Sequence, residues 1–178
     1  ISGLEIRLYK ATDVSSGSTA DAAAEALRRL YDSGADVRGV MLTSREALCP
    51  RNRVCQGGDV CDLSPLAPTR EDAAVRELLD ARLPVVSAKE LLAAAERHRV
   101  CPCELMLRYS LYCDVVIGDY NYLFDPAVAL RRYFEEGGNY TFLVDEAHNL
   151  VERARSIHHT EMSLSYLARL AAAVRGQA

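Results

Sequence analysis

The alternation of short apolar runs with amphipathic segments most constrains how this chain folds. Residues 4–9 and 37–42 are rich in apolar side chains and predict strands. Residues 20–32 between them carry apolar side chains at helical spacing and end before Gly34. Two strands joined through a helix are typical of a parallel sheet, because parallel neighbours need a crossover connection. The chain is therefore predicted to have an α/β fold with a partial parallel sheet and flanking helices.

The same alternation returns after residue 68, where cap residues and periodicity predict further elements. The predicted strands are 115–117 and 140–144. Helices are predicted at 69–82, at 88–99 after a capping box of Ser87 and Glu90, and at 102–112 after Pro102. Two more are predicted to begin at Asp125 and after the cap residue Ser163.

A cysteine-rich segment interrupts this pattern. Residues 49–68 hold three Cys, three Pro and two adjacent Gly, so they bury little apolar surface, and a bound metal centre would hold them together. Five residues separate Cys49 from Cys55 and Cys55 from Cys61, and Cys101 follows much later. This spacing is looser than the paired cysteines of zinc sites and favours thiolates around a [4Fe–4S] cluster, with zinc as the open alternative. Disulfides are disfavoured, because nothing marks the chain as secreted.

A pair of acidic residues directly follows the strand predicted at 140–144. The sequence there reads Asp145-Glu146-Ala147-His148. Ligands of open α/β sheets bind at the carboxyl ends of strands, where one carboxylate can hold Mg²⁺ on nucleotide phosphates and another can activate the attacking water. The alternative is a solvated helix start, which also favours acidic side chains.

Composition excludes several classes of protein. The net charge is −4 and the basic residues are nearly all Arg, with Lys10 and Lys89 the only lysines. This balance argues against a protein that coats nucleic acid, although it allows a narrow Arg-lined groove. No basic leader with an apolar core opens the chain, and no run reaches the roughly 18–20 apolar residues of a membrane helix. We therefore expect no membrane association and a cytoplasmic location.

Three stretches resemble the XPD/DinG-type iron–sulfur helicases of superfamily two. They are LTSREALC at residues 42–49, CPCELMLRYSLYCDVVIGDYNYLFDP at 101–126 and YTFLVDEAHNL at 140–150. The resemblance implies a RecA-like domain that carries an inserted small helical cluster lobe, within a monomeric motor that uses ATP to move 5′→3′ on single-stranded or forked DNA, in DNA repair. It divides the chain into residues 1–48 and 102–157 of the first RecA-like domain, the cluster lobe at 49–101, and the start of a helical arch insertion at 158–178.

The resemblance also implies roles for individual residues. The cluster ligands would be Cys49, Cys55, Cys61 and Cys101; Asp145 would hold Mg²⁺, Glu146 would activate water, and His148 would link the nucleotide site to the DNA-bound state. The loop of Tyr120, Asn121 and Tyr122 would lie near the single strand, where the aromatic rings either stack on bases or simply pack. Arg45 would contact the cluster loop or a phosphate.

Cys101 is also favoured over Cys103 by position. Because Cys101 precedes Pro102, it is expected at the N-cap, outside the helix and beside free N–H groups that favour a thiolate. Cys103 is expected inside the first turn, about 200° around the helix at 100° per residue. Cys103 and Cys113 are therefore predicted to be small helix residues that bind no cluster.

The sequence differs from that of a complete helicase mainly in lacking a phosphate-binding motif. It contains no G-x-x-x-x-G-K-[ST] phosphate loop. These residues alone are therefore expected neither to bind ATP tightly nor to hydrolyse it, and the second RecA-like domain is expected elsewhere in a longer protein. The alternative function is a non-catalytic iron–sulfur module that binds DNA or senses redox state.

Overall fold

A parallel sheet organises the chain. The computed structural model describes residues 7–12, 17–49, 63, 68–119, 121–124 and 140–157. Within these residues, five strands form one sheet in which every neighbouring pair is parallel. They are β1 (Arg7–Thr12), β2 (Gly39–Met41), β3 (Val85–Val86), β4 (Val115–Asp119) and β5 (Tyr140–Val144), in the order β3-β2-β4-β1-β5. The predicted α/β class is confirmed.

Helices connect the strands in the way that parallel pairing requires. The described helices are α1 (Gly17–Asp32), α2 (Arg45–Leu48), α3 (Pro68–Asp80), α4 (Ala88–His98), α5 (Pro102–Tyr109), α6 (Asn121–Phe124) and α7 (Leu150–Ile157), with 3-10 turns at Ser110–Tyr112 and Ala147–Asn149.

The sheet has a core on each face. On one face, α1 packs Ala24 and Leu27 against Val85, Val115 and Ile117. The other face carries a larger core of side chains from β2, β3, β4 and helices α2 to α5. Adjacent strand residues point to opposite faces, so Val85 joins the first core and Val86 the second. A Cβ built at Gly39 would lie 2.3 Å from Leu27 Cδ2, which shows how closely α1 approaches β2.

Ion pairs and caps fix α3, α4 and α5 against each other. Ser87 begins α4 with the predicted capping box, in which Glu90 accepts from the Ser87 backbone N–H. Arg108 of α5 donates to the buried Glu71 of α3, with Nη1 2.7 Å from Oε2, and also to Asp72. Glu77 of α3 holds Arg97 and His98 of α4, and this pairing lowers the pKa of its carboxyl group.

The edge strand β5 is less covered than the strands at the centre. Thr141, Phe142 and Leu143 are exposed, and Tyr140 and Val144 are only half-buried. Successive residues face opposite sides, so Phe142 and Leu143 leave apolar surface on both faces. The strand is in register with β1 through Ala11 and Val144, which places its carboxyl end beside that of β1.

Several element limits differ from the sequence prediction. The first strand begins at Arg7, and the fourth continues through Gly118 to Asp119 because both residues pair with β1. Val85 and Val86, within the segment 49–101 expected to form the cluster lobe, pair with β2. The helices expected at Asp125 and Ser163 lie outside the described residues.

The chain divides into two compact units, Ile1–Glu146 and Ala147–Ala178. The first holds the sheet, and the described part of the second consists of the 3-10 turn at Ala147–Asn149 and α7. Among the described residues, no helix is long and apolar enough to cross a membrane. The expected division into RecA-like, cluster and arch segments stays a prediction.

Candidate functional site

Acidic residues gather at the carboxyl edge of the sheet. Asp119 is the last residue of β4 and pairs in register with Thr12 at the end of β1. Val144, the last residue of β5, pairs with Ala11, so Asp145 follows at the level of Thr12. Strands lie about 4.8 Å apart, which places the Asp119 and Asp145 backbones roughly 10 Å from each other across β1. Carboxylates at such an edge have the hard oxygen chemistry that Mg²⁺ prefers.

The turn after β5 has an unusual backbone. Glu146 adopts φ +49°, in the left-handed region that is costly for residues with a Cβ. The backbone N–H of Glu146 donates to Asp145 Oδ1 at 3.0 Å, which helps to hold the turn. Asp145 is half-buried and Glu146 is exposed. Residues held in sparsely populated conformations are common at functional sites.

His148 belongs to the second compact unit. It lies in the 3-10 turn Ala147–Asn149, and its side chain is exposed. Directly after it, α7 carries an exposed ion pair between Glu152 and Arg155. The role predicted for His148 stays a prediction.

The loop after β4 is ordered by short-range hydrogen bonds. Asp119 Oδ1 accepts from the Asn121 N–H at 2.7 Å, an Asx turn that begins α6. The Tyr122 hydroxyl donates to the carbonyl of Thr43 at 3.2 Å, and burial raises the pKa of this phenol. Phe124 leaves its side chain exposed. Tyr120, which was predicted with Asn121 and Tyr122 to face nucleic acid, lies outside the described residues.

Two of the four predicted cluster ligands are described, and each lies at the end of a helix. Cys49 is the C-cap of α2 and Cys101 the N-cap of α5. Both thiols are free and half-buried, and both pack against the larger core. Cys55 and Cys61 lie outside the described residues. In the described part of the chain, no three His, Cys, Asp or Glu side chains form a metal-binding group.

The environment of Cys101 favours its thiolate. A hydrogen bond from the Cys103 thiol, helped by the N–H groups of Glu104 and Cys103, lowers the pKa of Cys101 to about 6. The same hydrogen bond, together with burial, raises the pKa of Cys103. The lowered pKa of Cys101 favours its thiolate, the form in which cysteine binds metals, whereas the raised pKa of Cys103 keeps that thiol protonated.

The expectation that Cys103 points away from Cys101 is wrong. Cys101 has φ −69° and ψ 120°, an extended backbone, so it lies outside the helical series to which 100° per residue applies. Its side chain therefore reaches that of Cys103, which is buried in the first turn of α5.

Arg45 lies on the cysteine side of the molecule. Its Nη2 is 3.9 Å from Glu104 Oε1, and both side chains remain well exposed. Its positive charge acts on Cys103, where it opposes the rise in pKa. Of the two roles predicted for Arg45, this position is compatible with both.

Sequence reasoning missed several residues of these sites. Asp119 was not singled out, although an Asp that ends a strand just before the Tyr-Asn-Tyr loop is a usable signal. Cys103 was assigned to packing, although its spacing from Cys101 allows thiol contact next to an N-cap. Thr43 has no signal in the sequence, because only its backbone groups take part.

The sequence is similar to known proteins over most of its length. A family model described as DEAD_2 matches residues 17–167. The General transcription and DNA repair factor IIH helicase subunit XPD of Schizosaccharomyces pombe is 28% identical over 151 residues, covering 71% of this chain and 20% of that protein. The corresponding subunit XPD/RAD3 of Saccharomyces cerevisiae is 35% identical over 66 residues, covering 37% of this chain and 8% of that protein.

A solved structure of truncated XPD aligns with 82% of this chain and 41% of its own, with 17% identity and a TM-score of 0.45. The chain thus spans a fifth or less of the length of the two curated relatives.

Proposed function

Because the chain belongs to the DEAD_2 family of XPD-type helicases, we propose that it is part of the first RecA-like domain of an ATP-dependent DNA helicase. The observation that carries this proposal is the acidic turn Asp145–Glu146 at the carboxyl end of β5, with Asp119 at the same edge of the sheet. A nucleotide bound there would meet carboxylates on two strand ends, which is the usual place for ligands in an open α/β sheet.

In the proposed reaction, Asp145 and Glu146 have different roles. Asp145 would hold the Mg²⁺ that accompanies ATP, and a bound Mg²⁺ would offset charge on the phosphate oxygens. Glu146 would orient a water molecule and accept its proton as that water attacks the terminal phosphorus. The exposed carboxylate of Glu146 and its constrained backbone support this assignment. His148 would report the state of the nucleotide to the DNA-bound parts of the protein.

We further propose that Cys49, Cys55, Cys61 and Cys101 hold a [4Fe–4S] cluster. The free thiol of Cys49 and the lowered pKa of Cys101 support two of these four ligands. Bound in this way, the cluster would tie together a segment too poor in apolar residues to form a core by itself.

The proposed DNA path passes the loop of Tyr120, Asn121 and Tyr122 and the exposed guanidinium of Arg45. Arg45 would contact a phosphate, and aromatic side chains of the loop would stack on bases. Translocation on single-stranded DNA in the 5′→3′ direction is part of the proposal, as is a role in DNA repair. Both derive from the resemblance to XPD-type helicases.

The proposal is tested by Glu146→Gln in the full-length protein. An amide keeps the size of the side chain but cannot accept the proton, so we expect ATP hydrolysis to fall roughly 10²- to 10⁴-fold while ATP and single-stranded DNA still bind. Glu25→Gln, an exposed carboxylate on α1, is the matched control and should retain full activity. Unchanged hydrolysis in Glu146→Gln would remove the catalytic role, and a wild-type protein without ATPase activity would favour the non-catalytic binding module.

A further inference from the structure

Thr43 lies between β2 and α2, at the point where this segment contacts both α5 and α6. Its backbone N–H donates to the sulfur of Met106 in α5, with N and Sδ 3.3 Å apart. Its carbonyl accepts from the Tyr122 hydroxyl, which belongs to α6 after β4, at 3.2 Å. Both backbone groups of this one residue are therefore used by side chains that are 63 and 79 residues away in the chain.

Thr43 leads directly into the element that ends at Cys49. Leu42 makes the last sheet bond of this segment, to the carbonyl of Ile117. Ser44 then caps α2, and the Cys49 N–H closes the helix on the Arg45 carbonyl at 2.8 Å. A helix of four residues has almost no stability of its own, so its position depends on the groups at its ends. The fully buried Leu48 anchors one side of α2, and Thr43 fixes the other.

The Tyr122 side of this junction belongs to the carboxyl edge of the sheet. Tyr122 follows the Asx turn of Asp119 and Asn121, and its ring packs against the larger core. A tyrosine hydroxyl is protonated at neutral pH and burial raises the pKa of this one further, so the group remains the donor of the bond to Thr43. A displacement of α6 therefore changes the hydrogen bond to Thr43, the residue that precedes the N-cap of α2.

We propose that Tyr122 is a positioning residue that couples the loop after β4 to Cys49 through the Thr43 carbonyl, with Met106 as a second support. A single strand of DNA bound at that loop then steadies α2 and the thiol at its end. The identity of this ligand rests on the proposed function, whereas the link from Tyr122 to α2 rests on the hydrogen bonds alone.

The test is hydrogen exchange of the peptide that covers α2, measured by mass spectrometry on the full-length protein with and without oligothymidylate. In the wild type, we expect the oligonucleotide to slow exchange at Ala47, Leu48 and Cys49. Tyr122→Phe removes only the hydroxyl, and should speed exchange there roughly 2- to 10-fold, the effect of losing one hydrogen bond. It should also abolish the response of α2 to oligothymidylate at concentrations that saturate each protein, with saturation established for each by fluorescence anisotropy.

Two further variants distinguish loss of the hydrogen bonds at Thr43 from a general loss of stability. Met106→Leu keeps the volume and removes the sulfur acceptor, so it should speed exchange in α2 in the same way. Thr43→Val keeps both backbone groups and should behave as the wild type. Exchange in α4 is the internal reference, and should change in none of these proteins.

The possible outcomes are distinct. Wild-type exchange of α2 in Tyr122→Phe overturns the proposal, and so does equal acceleration in α2 and α4. A wild type that binds oligothymidylate without any change in α2 also overturns it. Faster exchange confined to α2 in a protein that binds no oligothymidylate supports the positioning role of Tyr122 and counts against the DNA partner of the proposed function.

Discussion

Glu146 combines the catalytic role proposed for it with a backbone conformation that suits glycine better. A left-handed residue with a Cβ costs about 1–2 kcal/mol, partly offset by the greater freedom that glycine has in the unfolded chain. We expect Glu146→Gly to raise the free energy of unfolding by up to about 1 kcal/mol and to abolish ATP hydrolysis in the full-length protein. Urea titration and an ATPase assay measure the two effects.

Arg99 provides the matched control for this substitution. It is exposed, has φ +53° and ends α4, a position where glycine is common. Arg99→Gly should give a similar gain in stability with unchanged ATP hydrolysis. If Glu146→Gly kept its activity, Glu146 would have no catalytic role. If it lost stability where Arg99→Gly gained it, the left-handed backbone at residue 146 would not be strained.

Cys101 and Cys103 should respond differently to replacement by serine. Cys101→Ser removes the thiol with the lowered pKa, and we expect loss of iron and of the brown absorbance near about 400 nm in protein purified without oxygen. Cys103→Ser keeps a hydrogen-bond donor beside Cys101 and should retain the cluster. Loss of iron only in Cys103→Ser would reverse the assignment, and stoichiometric zinc in the wild type would exclude a cluster.

At the scale of residues, the sequence predicted the position of Cys101 but not its contact with Cys103. The Cys-Pro order identified Cys101 as an N-cap, because proline is favoured at the first helical position. The contact with Cys103 could not be predicted, because it depends on the ψ angle of Cys101, which lies outside the helical series. The use of the Thr43 backbone by Met106 and Tyr122 was equally hidden, since it arises from packing between distant segments.

At the scale of elements, the contact between α3 and α5 depends on one buried charge. The Glu71 side chain is 7% exposed and its cation is Arg108, which is 34% exposed. We expect Arg108→Ala to lower the free energy of unfolding by about 2–3 kcal/mol, because it leaves a buried carboxylate unpaired. Adding Glu71→Gln should recover about 1 kcal/mol of this loss, since the neutral amide is less costly to bury.

Arg28→Ala is the control for that pair. Arg28 and Glu25 are both about half exposed on α1, so their separation should change stability by less than about 0.5 kcal/mol. Urea titration of these three variants and the wild type measures the differences. An equal effect of Arg108→Ala and Arg28→Ala would mean that Glu71 is solvated in solution.

The sequence predicted the type of most described elements correctly, but it predicted the ends of the strands less well. The capping box at Ser87 and the strand at 140–144 follow from local signals, and the structure has both. β4 was expected to stop before Gly118, a poor strand former, but a Cβ there would lie 3.0 Å from Leu42 Cδ1, so close packing favours glycine. The two-residue strand β3 depends on pairing with β2, which no local pattern contains.

At the scale of the whole molecule, the 178 residues should not bind Mg-ATP by themselves. Phosphate binding in such enzymes requires the backbone N–H groups and the lysine of a phosphate loop, and the sequence contains no such motif. Calorimetric titration of the isolated chain should give no heat of binding, whereas the full-length protein should bind the nucleotide. Micromolar affinity of the isolated chain would show that its acidic edge is sufficient.

The position of β1 in the sheet also sets an order of assembly. Its two neighbours, β4 and β5, begin at Val115 and Tyr140, whereas α3, α4 and α5 contact one another within residues 68–109. At a synthesis rate of about 5–20 residues per second, β1 leaves the ribosome roughly 5–20 s before β4. Early contacts are those of low sequence separation. We therefore expect α3, α4 and α5 to pack around Cys101 during synthesis, while β1 is still unpaired. The carboxyl edge of the sheet, with Asp119 and Asp145, would form only after β4 and β5 have been synthesised.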